Sequence, residues 1–86
     1  MKSLTVARFW EMYRRLPAEV QGAAKEAHAT FAVNPFHPSL HFKPLQGYDA
    51  YWSVRINISY RAVCRKQGDT VTWFWIGSHA EFDQKF

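Results

Sequence analysis

A chain of 86 residues, 48% hydrophobic and 17% aromatic, is one small folded domain and not a disordered segment. Its net charge of +4 favours an anionic partner, but the excess is spread along the chain, so a basic tail or block is excluded. The single cysteine, Cys64, excludes an intrachain disulfide and a paired-thiolate zinc site, and no apolar run reaches the roughly 18 residues of a membrane span, so a cytoplasmic protein with no membrane association is expected.

Val6, Phe9, Trp10 and Tyr13 fall at i, i+3, i+4 and i+7, with Arg8, Glu11, Arg14 and Arg15 between them, which predicts an amphipathic helix from about Thr5 to Arg15. Arg14 and Arg15 complement the dipole at its end. Pro17 disfavours helix at Leu16 and suits the first turn of a new one. The second helix carries Val20, Ala23, Ala24, Ala27 and Phe31 on one face and stops at Asn34-Pro35. So short a link predicts an antiparallel αα-hairpin, and the alanines predict close packing.

Between Asn34 and Leu40 two prolines and no periodicity indicate an ordered loop. The period then becomes two. His41 to Leu45 reads as an edge strand, because Pro44 lacks an N–H, and Gln46 to Ala50 as a turn. Tyr51 to Asn57 alternates Trp52, Val54 and Ile56 against Ser53, Arg55 and Asn57, which aims Arg55 away from the core. Tyr60 to Lys66 forms the next strand, Gln67-Gly68-Asp69 a hairpin turn, and Thr70 to Ile76 a central strand. His79 to Phe86 forms a short terminal turn or helix. The fold class is α+β, an N-terminal αα-hairpin on a twisted antiparallel sheet of three to four strands, in one domain spanning 1–86.

Four signals have simpler explanations. His37 and His41 have a zinc-like spacing, but Pro38 opposes helical geometry and no further ligand is near in sequence, so no metal is expected. Trp73, Phe74 and Trp75 suit a core strand better than a stacking platform for bases. Cys64 shares parity with Tyr60 and Ala62 and reads as a buried inert thiol. Lys43 on an edge strand is a deterrent to aggregation or a phosphate contact.

Leu16-Pro17, Phe42-Lys43-Pro44-Leu45, Tyr51-Trp52-Ser53-Val54-Arg55-Ile56, Tyr60-Arg61-Ala62-Val63 and Ile76-Gly77-Ser78-His79-Ala80-Glu81-Phe82-Asp83 occur in this order across nearly the whole chain. Together they resemble the RelE/ParE superfamily of bacterial type II toxin–antitoxin toxins. In its RelE-like branch the resemblance implies a metal-independent, cofactor-free ribonuclease that cuts mRNA on the ribosome with the ribose 2′-hydroxyl as nucleophile. Its implied partners are a cognate antitoxin, the ribosome and mRNA. The antitoxin is expected on the apolar flank of the hairpin and at the sheet edge near Phe42.

The resemblance makes Arg61 the grip on the scissile phosphate, a task that suits a planar guanidinium, with Arg55 as a second basic group. His79 matches the position of an acid–base residue and is otherwise a local cap at the sheet's end. Lys43, Ser53, Arg65 and Phe82 are the remaining expected RNA contacts. Phe82 departs from the tyrosine of many relatives and can only stack or pack. No carboxylate occupies the region of Phe42, Lys43 and Pro44, where one branch has its base, which leaves Asp49 and Glu81 as candidates. A ParE-like inhibitor of DNA gyrase and a catalytically silent antitoxin-binding module are the alternatives.

Overall fold

The chain begins with a strand, not a helix. The computed structural model describes residues 1–86 as Lys2–Thr5 (β1), Ala7–Arg14 (α1), Ala18–Val33 (α2), a 3-10 turn at Pro38–Leu40, Lys43–Pro44 (β2), Tyr51–Arg55 (β3), Tyr60–Gln67 (β4), Thr70–Ser78 (β5) and His79–Lys85 (α3). The strands form one sheet in the order β1-β5-β4-β3-β2. Four are antiparallel as expected. The fifth, β1, lies parallel to β5 with Lys2 opposite Thr70 and Thr5 opposite Trp73, so the three-to-four-strand reading was one strand short. In β1 only Leu4 is apolar, and its partner lies at the far end of the chain, so local alternation carried no signal for it. Val6 donates its N–H to the Trp73 carbonyl at 3.2 Å and stays extended, which delays the first helix to Ala7.

On one face of the sheet sit α1 and α2. Phe31 is the centre of this side, with Phe42 and Trp73 edge-on to it at 5.0 and 5.3 Å. The expected corner is present and is tied by Gln21. Its side-chain amide donates to the carbonyls of Tyr13, Arg14 and Leu16, and its own carbonyl accepts the Tyr13 hydroxyl at 3.3 Å, which satisfies the open end of α1. Close packing of the alanine face is not found. A groove of about 280 Å³ separates α1 from α2 above the sheet, lined by Phe9, Trp10, Tyr13, Ala24, Ala27 and Phe31 among others. The alanines are too short to fill the gap that the neighbouring rings hold open.

The opposite face is organised by an irregularity in β5. Val63 pairs with Trp75 and Cys64 with Trp73, so Phe74 is an extra residue in the ladder, a β-bulge. Trp73 therefore enters the helix-side core while Phe74 and Trp75 both meet α3. Phe74 lies 4.9 Å from Tyr51, Trp75 lies 6.2 Å from Phe82 and 5.5 Å from Phe86, and Tyr48 stacks on Tyr51. These rings dock a helix of only seven residues.

Turn chemistry trims the remaining strands. Asn57 Oδ1 accepts the N–H groups of Ser59 and Tyr60, at 2.8 and 2.9 Å, and ends β3 at Arg55, two residues before the expected Asn57. Gly68 supplies φ of +59° in the β4–β5 turn. The edge strand β2 has two residues and includes Pro44, so it offers little to an added strand. Cys64 is fully buried, and that burial pushes its thiol up to about 12, in keeping with an inert role.

Candidate functional site

The site begins where β5 turns into α3. Ser78 is the N-cap, accepting the Glu81 N–H at 3.1 Å, while Glu81 Oε1 accepts the Ser78 N–H at 3.0 Å and its hydroxyl proton at 2.9 Å. These bonds hold the Glu81 carboxyl below its ordinary range. His79 is the first helical residue, and its N–H donates to the Ser59 carbonyl at 2.6 Å, which ties it to the loop between β3 and β4. Glu81 is thus committed to the cap and is not a free base.

Arg61 lies on β4, opposite Arg55 of β3 and Gly77 of β5. Gly77 matters through its missing side chain: a Cβ there would stand 2.8 Å from the Trp75 indole and 3.1 Å from Glu81 Oε1. The indole therefore reaches across the glycine and supports Phe82. Above the Phe82 ring sit the His79 imidazole, nearly parallel at 13°, and the Arg61 guanidinium, 5.6 Å from the centroid. Arg61 Nε donates to His79 Nδ1 at 3.0 Å.

That bond assigns the proton on the ring. A guanidinium does not give up its proton, so Nδ1 is the acceptor and the neutral imidazole carries its hydrogen on Nε2. Nε2 faces Asp83 Oδ2 at 3.6 Å. Only the Nε edge of Arg61 is used in this contact, and its outer nitrogens remain for an anion.

Arg61, His79 and Phe82 border a cleft of about 380 Å³ whose lining also includes Lys43 and Ser53. Ser53 is 1% exposed, and its buried hydroxyl has no hydrogen-bond partner. A buried hydroxyl left unpaired costs roughly 1–3 kcal/mol. Of the sequence candidates, five converge here: Lys43, Ser53, Arg61, His79 and Phe82. Arg55 adjoins them as the cross-strand neighbour of Arg61, with Cα atoms about 5 Å apart, but does not line the cleft. Arg65 is about 13 Å further along β4, paired with Tyr51 at the ring cluster, and is outside the site. Asp49 also lies outside the lining. Gln46 and the His79–Asp83 pair were not foreseen, although the i,i+4 spacing after a Ser-x-x-Glu box was there to be read. Chemically, the cleft can hold an anion between two cations and a hydroxyl and move a proton at one imidazole.

Residues 18–84 match the profile of the ParE-like toxin domain. The chain belongs to that family. The toxin's fold is shared with solved structures of toxin–antitoxin systems. A chain of the RelB–RelE antitoxin–toxin complex from Methanococcus jannaschii is 19% identical with a TM-score of 0.78, the match covering 96% of the toxin and 98% of that chain. The YoeB/ParE toxin from Agrobacterium tumefaciens is 25% identical with a TM-score of 0.70, over 92% and 99%. The isolated RelE toxin of E. coli is 16% identical with a TM-score of 0.68, over 96% and 93%. No curated protein sequence matches the chain.

Proposed function

We propose that this toxin is a ribosome-dependent mRNA endoribonuclease that is neutralised by a cognate antitoxin. The observation that carries this reading is the 3.0 Å contact between the Arg61 guanidinium and the His79 imidazole in a cleft that also presents Lys43 and the unpaired Ser53 hydroxyl. In this reading the outer nitrogens of Arg61, with Lys43 and Ser53, hold the scissile phosphate and the charge that grows on it. Arg55 adds positive potential from the next strand. The 2′-oxygen bonds to phosphorus as the P–O5′ bond breaks, giving a 2′,3′-cyclic phosphate and a 5′-hydroxyl. His79 Nδ1, an acceptor in the free toxin, suits removal of the 2′-proton. Once protonated there, the ring is an acid for the 5′-oxygen. Phe82 offers its free edge to a base while its ring supports the two catalytic groups.

Cleavage of mRNA on programmed ribosomes tests the reading. Arg61→Ala is expected to lose at least about 100-fold in rate, the usual loss for a group that stabilises transition-state charge, with an unchanged melting temperature. A wild-type chain that leaves RNA intact and blocks DNA supercoiling would instead support gyrase inhibition, the alternative that the resemblance to ParE implies. The antitoxin is assigned to the apolar groove between α1 and α2. That such a partner exists is supported by two related assemblies, RelB–RelE from M. jannaschii and DinJ–YafQ from E. coli, which are toxin–antitoxin complexes, and its place in the groove rests on the apolar lining.

A further inference from the structure

Asp83 takes no part in either core. Its side chain is 63% exposed, one helical turn beyond His79 in α3. An exposed pair of this spacing adds little to stability. Here, however, the other edge of the imidazole is already held. Arg61 Nε occupies Nδ1 at 3.0 Å, so the ring's hydrogen lies on Nε2, the atom that faces Asp83 Oδ2 at 3.6 Å. The backbone of His79 is fixed by Ser59 and by the Ser78–Glu81 box, which leaves rotation of the ring as its main freedom. Arg61 and Asp83 restrain that rotation from opposite edges.

No other carboxylate nearby is free to face the ring. Glu81 turns back onto Ser78, Lys43 lines the same cleft from β2, and Arg55 lies beside Arg61 on β3. Asp83 is the carboxylate that faces the imidazole.

We propose that Asp83 is a positioning residue for His79, fixing the hydrogen on Nε2 so that Nδ1 is the nitrogen that exchanges protons. The arrangement has the logic of an Asp–His pair in which the carboxylate orients the imidazole and balances its charge. When a substrate phosphate draws the Arg61 guanidinium onto itself, Nδ1 is released. A proton passing from the 2′-hydroxyl to Nδ1 makes an imidazolium, Nε2 keeps its own hydrogen, and Asp83 stays ionised as the counter-ion. Asp83 touches no substrate atom. The kinetic part of this inference rests on the nuclease reading, and the ring geometry does not.

Asp83→Ala, Asp83→Asn and Asp83→Glu test it by two measurements. In single-turnover cleavage on programmed ribosomes, Asp83→Ala is expected to slow the rate constant about tenfold, part of the usual worth of acid–base catalysis, with RNA affinity unchanged. Asp83→Asn loses a similar factor and Asp83→Glu recovers most of the rate. In the free chain Arg61 also holds the tautomer, so nitrogen NMR of His79 at mildly alkaline pH is read without it: hydrogen on Nε2 is expected in Arg61→Ala, and a mixture of tautomers with a faster-exchanging ring hydrogen in the double variant Arg61→Ala, Asp83→Ala. A ring spectrum that is the same in Arg61→Ala and in the double variant would overturn the proposal whether or not the toxin cuts RNA. A changed spectrum with an unchanged rate overturns the catalytic role. If the wild-type chain cuts nothing, the nuclease reading fails, and the ring spectrum alone decides for or against Asp83.

Discussion

On the helix side of the sheet, eleven buried hydrophobic residues, Phe31 and Trp73 among them, form one core, and the space left over is an apolar groove. On the α3 side, the apolar contribution is a smaller set of rings, and the space left over is a cleft with two cations, an imidazole and an unpaired hydroxyl. The same packing forces act on both faces, but they are spent on stability on one and on placing reactive groups on the other. Substitutions on the two faces should therefore separate loss of fold from loss of chemistry.

The sharpest contrast comes from Phe31→Ala, which is expected to destabilise the protein by about 3–5 kcal/mol through lost burial and the cavity left behind. Denaturant unfolding measures the loss. Any protein still folded should keep its cleft and its rate per folded molecule; a lower rate would show that the two faces are not separable. Gly77→Ala comes next. Its new Cβ would collide with the buried Trp75 indole, an overpacking cost of about 1–3 kcal/mol, and Phe82, which His79 and Arg61 adjoin, lies against that indole. Activity should fall further than the unfolded fraction explains, and retention of full activity would remove Trp75 from the chain of support.

The smallest effect is at the cap. Ser78→Ala should cost about 1 kcal/mol, read as faster hydrogen exchange confined to α3. The cap also has a pH dependence of defined sign. Glu81 is held below its unfolded value, so its contribution is complete above about 4.5 and is lost as pH falls through the depressed folded value. Wild-type α3 should therefore loosen in acid, and Ser78→Ala should keep the larger part of that response, because the backbone N–H of residue 78 still donates to Glu81, whereas Glu81→Gln should abolish it.

Much of this was legible in the residues. The two helices, their corner at Leu16 and Pro17, the edge strand marked by Pro44 and the outward parity of Arg55 followed from period and proline chemistry. The first strand was not, because β1 owes its existence to β5 and carries almost no alternation of its own. The bulge at Phe74 was also hidden: three successive aromatics give no sign of which one breaks the ladder. As to the site, Arg61 and His79 were singled out by resemblance, but their contact spans a separation in sequence that no periodicity links, and Arg65, expected as an RNA contact, is placed by register beside the ring cluster. The Ser53 hydroxyl illustrates a further limit. Parity gives its direction, whereas its burial without a partner depends on everything around it.

The extra residue in β5 sets the phase of the strand. Upstream of Phe74, odd-numbered positions face the helices; downstream, even-numbered ones do, so Trp73 and Ile76 share a side that a regular strand would deny them. An insertion or deletion at a paired position of β5 would set its two halves out of step and send either the helix-side rings or the support of the cleft to the wrong side, whereas removal of Phe74 itself would leave Cys64 opposite Trp73 and Val63 opposite Trp75 in regular alternation. Along its paired positions the strand depends on a count, and Phe74 is the residue that stands outside it.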